Sequence, residues 1–444
     1  MKQAGKTRSV HGDGSTEDRR CQVLSANLET WLQTRHRRCT RMAYPPLSLD
    51  GQPLAWYNAT VLAQIGGTPG RQGEDMTATM KAISRQRDRK KQYGLYGPLA
   101  ILSGTANPEL AQEIADRLDK RLSAVTISQF ANQNVFAKLE RSVRSKDVFL
   151  IQPTCAGVRY RRLKSGKCII DPKELAQLSP GEVEMAPASV NDNIIELLVL
   201  IDTLRRDSAG RITAVVPYFA YGRTDKKDQP RVPITARLMA DVVGVAGANR
   251  FLVLDLHAGQ IQAFFSIPGD ELTARHLLIE YFHNKAVPNA VVVAPDIGAS
   301  RRARNFAEAL DLPLAIVEKR RQADGSDIRQ FNLIGNIEGR NAIIFDDEID
   351  TGGTIAKAAA FLRERGAHDI YACATHPLLS PPDGVRNMQA AGLKKLVVTN
   401  SVFISPEKRE ALKPFLKILS VADLLAEVIH RIHLGESVGE LFNE

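Results

Sequence analysis

Short apolar runs, each closed by small or polar residues, repeat along the chain from about residue 98. Residues 99–104, 147–152, 212–217, 251–255, 290–294, 313–317, 342–345, 370–374 and 395–398 have the length of buried strands. Between them the period changes to that of helices. Asn107-Pro108-Glu109 opens one, with Leu110, Ile114 and Leu118 on a single face, and residues 191–206, 355–364 and 421–433 are predicted as others. Buried strands alternating with amphipathic helices predict an α/β fold whose mainly parallel sheet is covered on both faces. Ligands of such sheets sit beyond the carboxyl ends of the strands, so chemistry is expected in the residues that follow each apolar run.

Two stretches break the pattern. Residues 1–96 mix arginine clusters (Arg35, Arg37, Arg38; Arg85, Arg87, Arg89) with turn-rich pieces such as Gly66-Gly67-Thr68-Pro69-Gly70. Only residues 24–32 have helical spacing there, and no domain is expected. Residues 157–187 place Arg159, Arg161, Arg162, Lys164 and Lys167 ahead of a proline- and glutamate-rich piece. That predicts a loop or hairpin inserted between a strand and its helix.

At 444 residues the chain has room for two domains. Its 44% hydrophobic and 25% charged residues are ordinary globular usage, so a sizeable core is expected. The net charge of +9 suggests a nucleic-acid partner until it is located. Residues 1–95 hold 16 basic and eight acidic residues, a net of +8, which leaves +1 on the other 349. The basicity belongs to the N-terminal stretch, where a solvated tail is the ordinary explanation and an anionic partner, nucleic acid included, is the other. Five scattered cysteines without a Cys-x-x-Cys pair predict reduced thiols and a cytoplasmic protein. No run reaches the roughly 18–20 apolar residues of a membrane span, and the polar residues 1–16 do not read as a secretory signal.

The most specific segment follows the run 342–345. It reads Asp346-Asp347-Glu348-Ile349-Asp350-Thr351-Gly352-Gly353-Thr354 and leads into the helix at 355–364. Two carboxylates are expected to emerge at the strand end, ahead of a Thr-Gly-Gly-Thr turn at a helix start. Glycines let the backbone approach a ligand, and the N–H groups of a helix N-terminus receive a phosphate. The carboxylates would repel that phosphate; they suit the vicinal hydroxyls of a sugar, which donate hydrogen bonds to them. An acidic turn capping an ordinary helix uses some of the same residue types, but not this whole series directly after an apolar strand. The segment resembles the ribose-phosphate loop shared by type I phosphoribosyltransferases and ribose-phosphate pyrophosphokinases, and alone it does not choose between them.

Four further segments do choose. Residues 217–228 pack Arg223, Lys226 and Lys227 with Asp225 and Asp228. His257 follows one apolar run, and Asp296 follows another within Pro295-Asp296-Ile297-Gly298. Glu318-Lys319-Arg320-Arg321 ends a fourth strand, ahead of the polar residues 322–330. Each alone has an ordinary explanation: a hydrogen-bonded structural histidine, a solvated cationic run, a loop turn. Their succession at strand exits resembles the ribose-phosphate pyrophosphokinase family from about residue 99 onward, some three quarters of the chain. Residues 213–217 and Val232-Pro233-Ile234-Thr235 belong to the same likeness. Purine-type phosphoribosyltransferases share only the 346–354 loop and the general fold.

The resemblance implies two type I phosphoribosyltransferase-like domains, each a doubly wound mainly parallel sheet. Residues 97–274 would form the ATP side, with the insertion at about 157–187, and residues 275–444 the ribose 5-phosphate side, after a basic, poorly structured 1–96. The last helix would pack back on the first domain. The enzyme would move the β,γ-diphosphate of ATP to the 1-hydroxyl of ribose 5-phosphate. Lys319 and Arg321 would be catalytic, on a loop that closes over the reacting centre. Phe130, Asn132, Asn134, Arg223, Thr224, Asp225, Lys226, Asp228 and His257 would bind ATP, and His257 and Asp296 would hold magnesium. Asp346, Asp347, Asp350, Thr351, Gly352, Gly353 and Thr354 would hold ribose 5-phosphate. Dimers would build a homohexamer in which two subunits contact each ATP.

The chain departs from the family at Phe130-Ala131-Asn132-Gln133-Asn134, where Phe-Ser-Asp-Gly-Glu is usual. The aromatic platform is kept, but the two carboxylates that grip adenine have become amides. Thr224 stands where glutamine is usual, and Ser266 replaces a common aspartate. A reading from another class is a non-catalytic regulatory homologue that assembles with an active synthetase. It predicts loss of the loop lysine, the metal histidine or the diacid, and this chain carries all three.

Overall fold

Two parallel sheets organise the residues that the computed structural model describes, 94–320 and 330–439. The first holds, side by side, β1 (Leu99–Ser103), β4 (Asp147–Ile151), β7 (Arg211–Val216), β8 (Arg250–Leu254) and β9 (Gly269–Leu272), all parallel. The second runs in the order β12 (Gln330–Ile334), β11 (Leu314–Arg320), β10 (Ala290–Ala294), β13 (Asn341–Ile349), β14 (Ile370–Pro377), β15 (Lys395–Thr399), β16 (Leu416–Leu419). Only β12 is antiparallel to its neighbour. Antiparallel pairs β2 (Val125–Gln129)–β3 (Val135–Leu139) and β5 (Gly157–Arg162)–β6 (Val183–Ala188) stand apart from the sheets.

Strand side chains alternate between faces, and each face has its own core. In the first sheet Leu102, Val148, Leu150 and Ala214 meet helices α3 (Val190–Arg206) and α4 (Thr235–Ala246). Ile101, Phe149, Ile151 and Val215 point the other way, onto α1 (Pro108–Arg117) and the last helix, α10 (Ala422–Leu434). In the second sheet α5 (Arg275–Lys285) and α6 (Ser300–Ala309) cover one face through Phe282 and Phe306. Helices α7 (Gly353–Glu364), α8 (Asp383–Ala390) and α9 (Pro406–Leu412) cover the other through Leu362, Met388 and Leu412. Both sheets are therefore doubly wound, as the apolar pattern predicted.

Local signals explain several boundaries. Asn107 caps α1, its side chain accepting from Leu110 N at 3.3 Å, with Pro108 at the first helical position. The end of α10 is tied to the first sheet where the Asp147 carboxylate meets His433 Nδ1 at 2.8 Å and Arg211 Nη2 at 2.6 Å. The predicted insertion is a hairpin, β5–β6, with a single-turn helix α2 (Pro172–Leu175) between its strands. Its arginines are paired: Arg159 with buried Glu196, Arg161 with Glu184 and Arg162 with Glu174. Among the described residues no helix is long and apolar enough to cross a membrane.

Candidate active site

The strand that carries the acidic series runs four residues further than its apolar pattern suggests. The carboxylates of Asp346 and Asp347 were expected just past the strand; they lie within β13, which continues to Ile349 because β14 continues beside it, pairing Asp346 with Ala374 and Glu348 with His376. All nine residues 346–354 line a cleft of about 1020 Å³. Gly352 is the N-cap of α7 at φ +70°, a backbone that favours glycine, and a Cβ there would lie 2.7 Å from the flexible end of Met388, at Cε. Asn387 Nδ2 donates to the Thr351 carbonyl at 2.8 Å and braces the turn. The start of α7 thus opens on the cleft with its first N–H groups.

The other wall of the cleft comes from the ends of β7, β8 and β10, with Arg223, Asp225, Lys226, His257 and Asp296 among its residues. Asp255, at φ +40°, ends β8, and its carboxylate accepts from Ala274 N at 2.9 Å and Thr375 Oγ1 at 2.7 Å. His376, buried near the carboxyl end of β14, sets Nε2 3.0 Å from the Leu254 carbonyl. These contacts staple the carboxyl ends of β8 and β14 together and bring His257 against the diacid. His257 Nδ1 lies 2.8 Å from Asp347 Oδ2. Arg302 Nη2 donates to Asp347 Oδ1 at 2.6 Å and lies 3.7 Å from Asp346 Oδ1, while Nη1 donates to the His257 carbonyl at 3.0 Å. Arg223 Nε donates to Glu348, its Nη1 to Asp350 Oδ2 at 3.2 Å, and the Tyr218 hydroxyl to Glu348 Oε2 at 3.0 Å.

The electrostatics follow from this crowding. Burial, with Asp347 alongside, pushes the Asp346 carboxyl well above its ordinary value. Burial also works against an ionised Asp347, but hydrogen bonds from His257 and Asp346 and the Arg302 charge outweigh it and hold that group below its ordinary value. The hydrogen bond to Asp347 raises His257 against the opposing effect of burial.

Some expected residues stand elsewhere. Thr224 and Asp228 do not line the cleft, and the Thr224 hydroxyl donates to the Tyr221 carbonyl at 2.8 Å. Phe130, Asn132 and Asn134 form the tip of the β2–β3 hairpin, away from the lining, with Phe130 57% exposed. Lys319 pairs in register with Phe331 along β11–β12. Arg321 lies outside the described residues.

Residues 99–247 match the family described as the N-terminal domain of ribose phosphate pyrophosphokinase, and residues 329–443 match the phosphoribosyl synthetase-associated domain. The ribose-phosphate pyrophosphokinase of Wolinella succinogenes is 42% identical over 343 residues, covering 77% of this chain and 98% of the relative. This chain is a member of the ribose-phosphate pyrophosphokinase family. The family's Nostoc member is 41% identical over 345 residues, covering 78% of this chain and 93% of its own. A solved phosphoribosylpyrophosphate synthetase from Mycobacterium smegmatis superposes with a TM-score of 0.62 at 36% identity, over 75% of this chain and 98% of that one.

Within this member of the family, sequence reasoning missed Arg302, Tyr218 and Glu348. A signal for Arg302 existed. Arg301 and Arg302 occupy the first turn of α6, where the helix dipole disfavours cations, so a local reason for them is absent. Tyr218 and Glu348 carry no comparable mark, since their contact joins positions 130 residues apart.

Proposed function

We propose that the protein is a ribose-phosphate diphosphokinase, transferring the β,γ-diphosphate of ATP to the 1-hydroxyl of ribose 5-phosphate to give 5-phosphoribosyl 1-diphosphate and AMP. The observation that carries the reading is that a single cleft is lined by the 346–354 series and by Arg223, Lys226, His257 and Asp296. Paired acids beside a phosphate-receiving helix start suit a pentose monophosphate; the cationic wall opposite suits a triphosphate. In the reaction the oxygen of the 1-hydroxyl attacks the β-phosphorus in line. The bond from that phosphorus to the α–β bridging oxygen breaks, AMP leaves with the bridging oxygen, and the hydroxyl proton is released. Such a transfer needs positioning and charge neutralisation rather than a covalent intermediate.

In this reading Asp346, Asp347 and Asp350 accept from the ribose hydroxyls, and Thr351, Gly352, Gly353 and Thr354 receive the 5-phosphate. Arg223, Asp225 and Lys226 meet the ATP, with Thr224 and Asp228 flanking them. Phe130, Asn132 and Asn134, on an exposed hairpin tip, serve the ATP of a neighbouring subunit in a homohexamer. Lys319, near the end of β11, and Arg321, the residue after that strand, supply charge when this loop closes over the reactants. His257 and Asp296 would hold magnesium, and the donor set fits. Asp347 takes up Nδ1 and leaves Nε2 to face a metal, the order of a carboxylate–histidine–metal series. A histidine and a carboxylate suffice for an ion that keeps waters and phosphate oxygens as its other ligands. When bound, the ion would neutralise the triphosphate.

The same reading divides the chain into a basic stretch 1–96 and domains 97–274 and 275–444, since the strands of the first sheet all precede residue 275 and those of the second all follow it. It places the protein in the cytoplasm, where the free thiols Cys155, Cys168 and Cys373 would stay reduced. Protein, ribose 5-phosphate, magnesium and a panel of nucleoside triphosphates, with products resolved by phosphorus NMR, test the proposal. AMP and a 1-diphosphorylated sugar are expected. ADP with a further phosphomonoester, or no turnover with any triphosphate, would reject it.

A further inference from the structure

Glu348 lies inside the 346–354 series but faces the partners of the opposite wall. Its side chain is 5% exposed, and each carboxylate oxygen is taken by a residue that follows β7. Oε1 accepts from Arg223 Nε, and Oε2 from the Tyr218 hydroxyl at 3.0 Å. Arg223 itself is 53% exposed, so Glu348 is the buried, fixed end of the pair and the guanidinium extends from it toward the cleft. The second partner of Arg223 is different in kind. Asp350 is 32% exposed, stands on the solvent side and meets Nη1 at 3.2 Å.

We propose that Glu348 is a positioning residue for Arg223: it grips the guanidinium by Nε so that the terminal nitrogens are presented to the polyphosphate of the nucleotide, which displaces Asp350. This rests on the assignment of the cleft to ATP and ribose 5-phosphate. A guanidinium offers its donors in a rigid fork, so anchoring Nε sets the direction of the others. A charge-assisted bond to a buried carboxylate is strong, whereas an ion pair open to water is worth little and exchanges readily. Tyr218 keeps the Glu348 carboxylate from rotating. Burial and the neighbouring Glu348 charge push the Tyr218 phenol upward, so it remains a donor. Without Glu348 the guanidinium is left to Asp350, turned away from the phosphates.

Glu348→Gln keeps the size and removes the charge, and the Tyr218 hydroxyl can rotate to accept from the new amide, so the fold is retained. Full-length wild type, E348Q and E348D are compared for AMP release at varied ATP with saturating ribose 5-phosphate, then the reverse, alongside thermal unfolding. E348Q is expected to raise KM for ATP about tenfold, the equivalent of one lost charge-assisted hydrogen bond. KM for ribose 5-phosphate and the thermal midpoint should hardly move, and E348D should recover part of the loss. An unchanged KM for ATP in E348Q overturns the inference, and so do equal rises in both KM values with a lowered midpoint, which mark a merely structural residue. A wild type that releases no AMP removes the cleft assignment and this inference with it, whereas an active wild type with an indifferent E348Q removes the inference alone.

Discussion

Replacing Arg159 by methionine should destabilise the protein by about 2 kcal/mol, and by more at high pH than at low. Arg159 stands on the inserted hairpin with a side chain only 4% exposed. Its Nη1 is 3.5 Å from Glu196 Oε2 and its Nη2 is 3.9 Å from Asp192 Oδ2. Glu196, fully buried on α3, also accepts from Thr105 N at 2.6 Å and from Gln152 Nε2 at 2.9 Å. Removing one partner of a buried pair costs about 3–5 kcal/mol. Two features reduce that figure here. The Thr105 and Gln152 donors stay on the carboxylate. Arg159 Nε is buried without a hydrogen-bond partner among the described residues, a penalty of about 1–3 kcal/mol that methionine abolishes.

The pH dependence has a definite sign. Burial pushes Glu196 above the ordinary carboxylate value, against the pull of Thr105, Arg159 and Gln152. An acid whose folded pKa is raised contributes stability below its unfolded value and loses it as pH rises through the folded value. Removing the Arg159 charge raises the folded value further, so the deficit of R159M should widen as pH rises above the ordinary carboxylate value. Thermal unfolding across a series of pH values reads the deficit. The double variant with Glu196→Gln should recover most of it, since an amide needs no counter-charge. A deficit of constant size at every pH, or a double variant no better than R159M, would show that Arg159 contributes packing rather than charge and would refute the reasoning.

Gly352→Ala should cost about 1–2 kcal/mol from the left-handed backbone alone, with the Met388 contact added. Calorimetric titration with ribose 5-phosphate should show weakened binding, and unaltered affinity would argue against the helix start as the phosphate seat. Glu271→Gln should stabilise the protein at neutral pH. Burial raises the Glu271 carboxyl, and an amide can still accept from Leu256 N. That gain should vanish as pH falls toward the unfolded carboxylate value, and a gain that persisted there would have another cause. Lys319→Ala and Arg321→Ala should each depress single-turnover AMP release while magnesium–ATP titrations stay close to wild type; unchanged turnover in both would count against the closing segment.

The apolar runs located β1, β4, β7, β8, β10, β11, β13, β14 and β15 to within a few residues. A strand buried on both faces needs an unbroken apolar run whatever packs against it. Edge strands obey no such rule. Gly-Asp-Glu-Leu in β9 pairs its backbone while leaving its side chains polar, and nothing in its pattern marks a strand. The extension of β13 through three acids was equally hidden, because its justification is the continuing backbone of β14 and the cations that face the acids.

The chain's own order of residues determined what is local: the strand cores, the helix faces, the glycine turn at 352 and the close succession of acids and threonines in the 346–354 series. Only the tertiary structure decided which strand ends meet. The bonds that close the cleft join Arg302 to Asp347 across 45 positions, His257 to Asp347 across 90 and Arg223 to Glu348 across 125. Periodicity records which side of an element is buried; it carries no record of which distant polar groups will share one enclosed volume, and that sharing sets their charge, their hydrogen bonds and their chemistry.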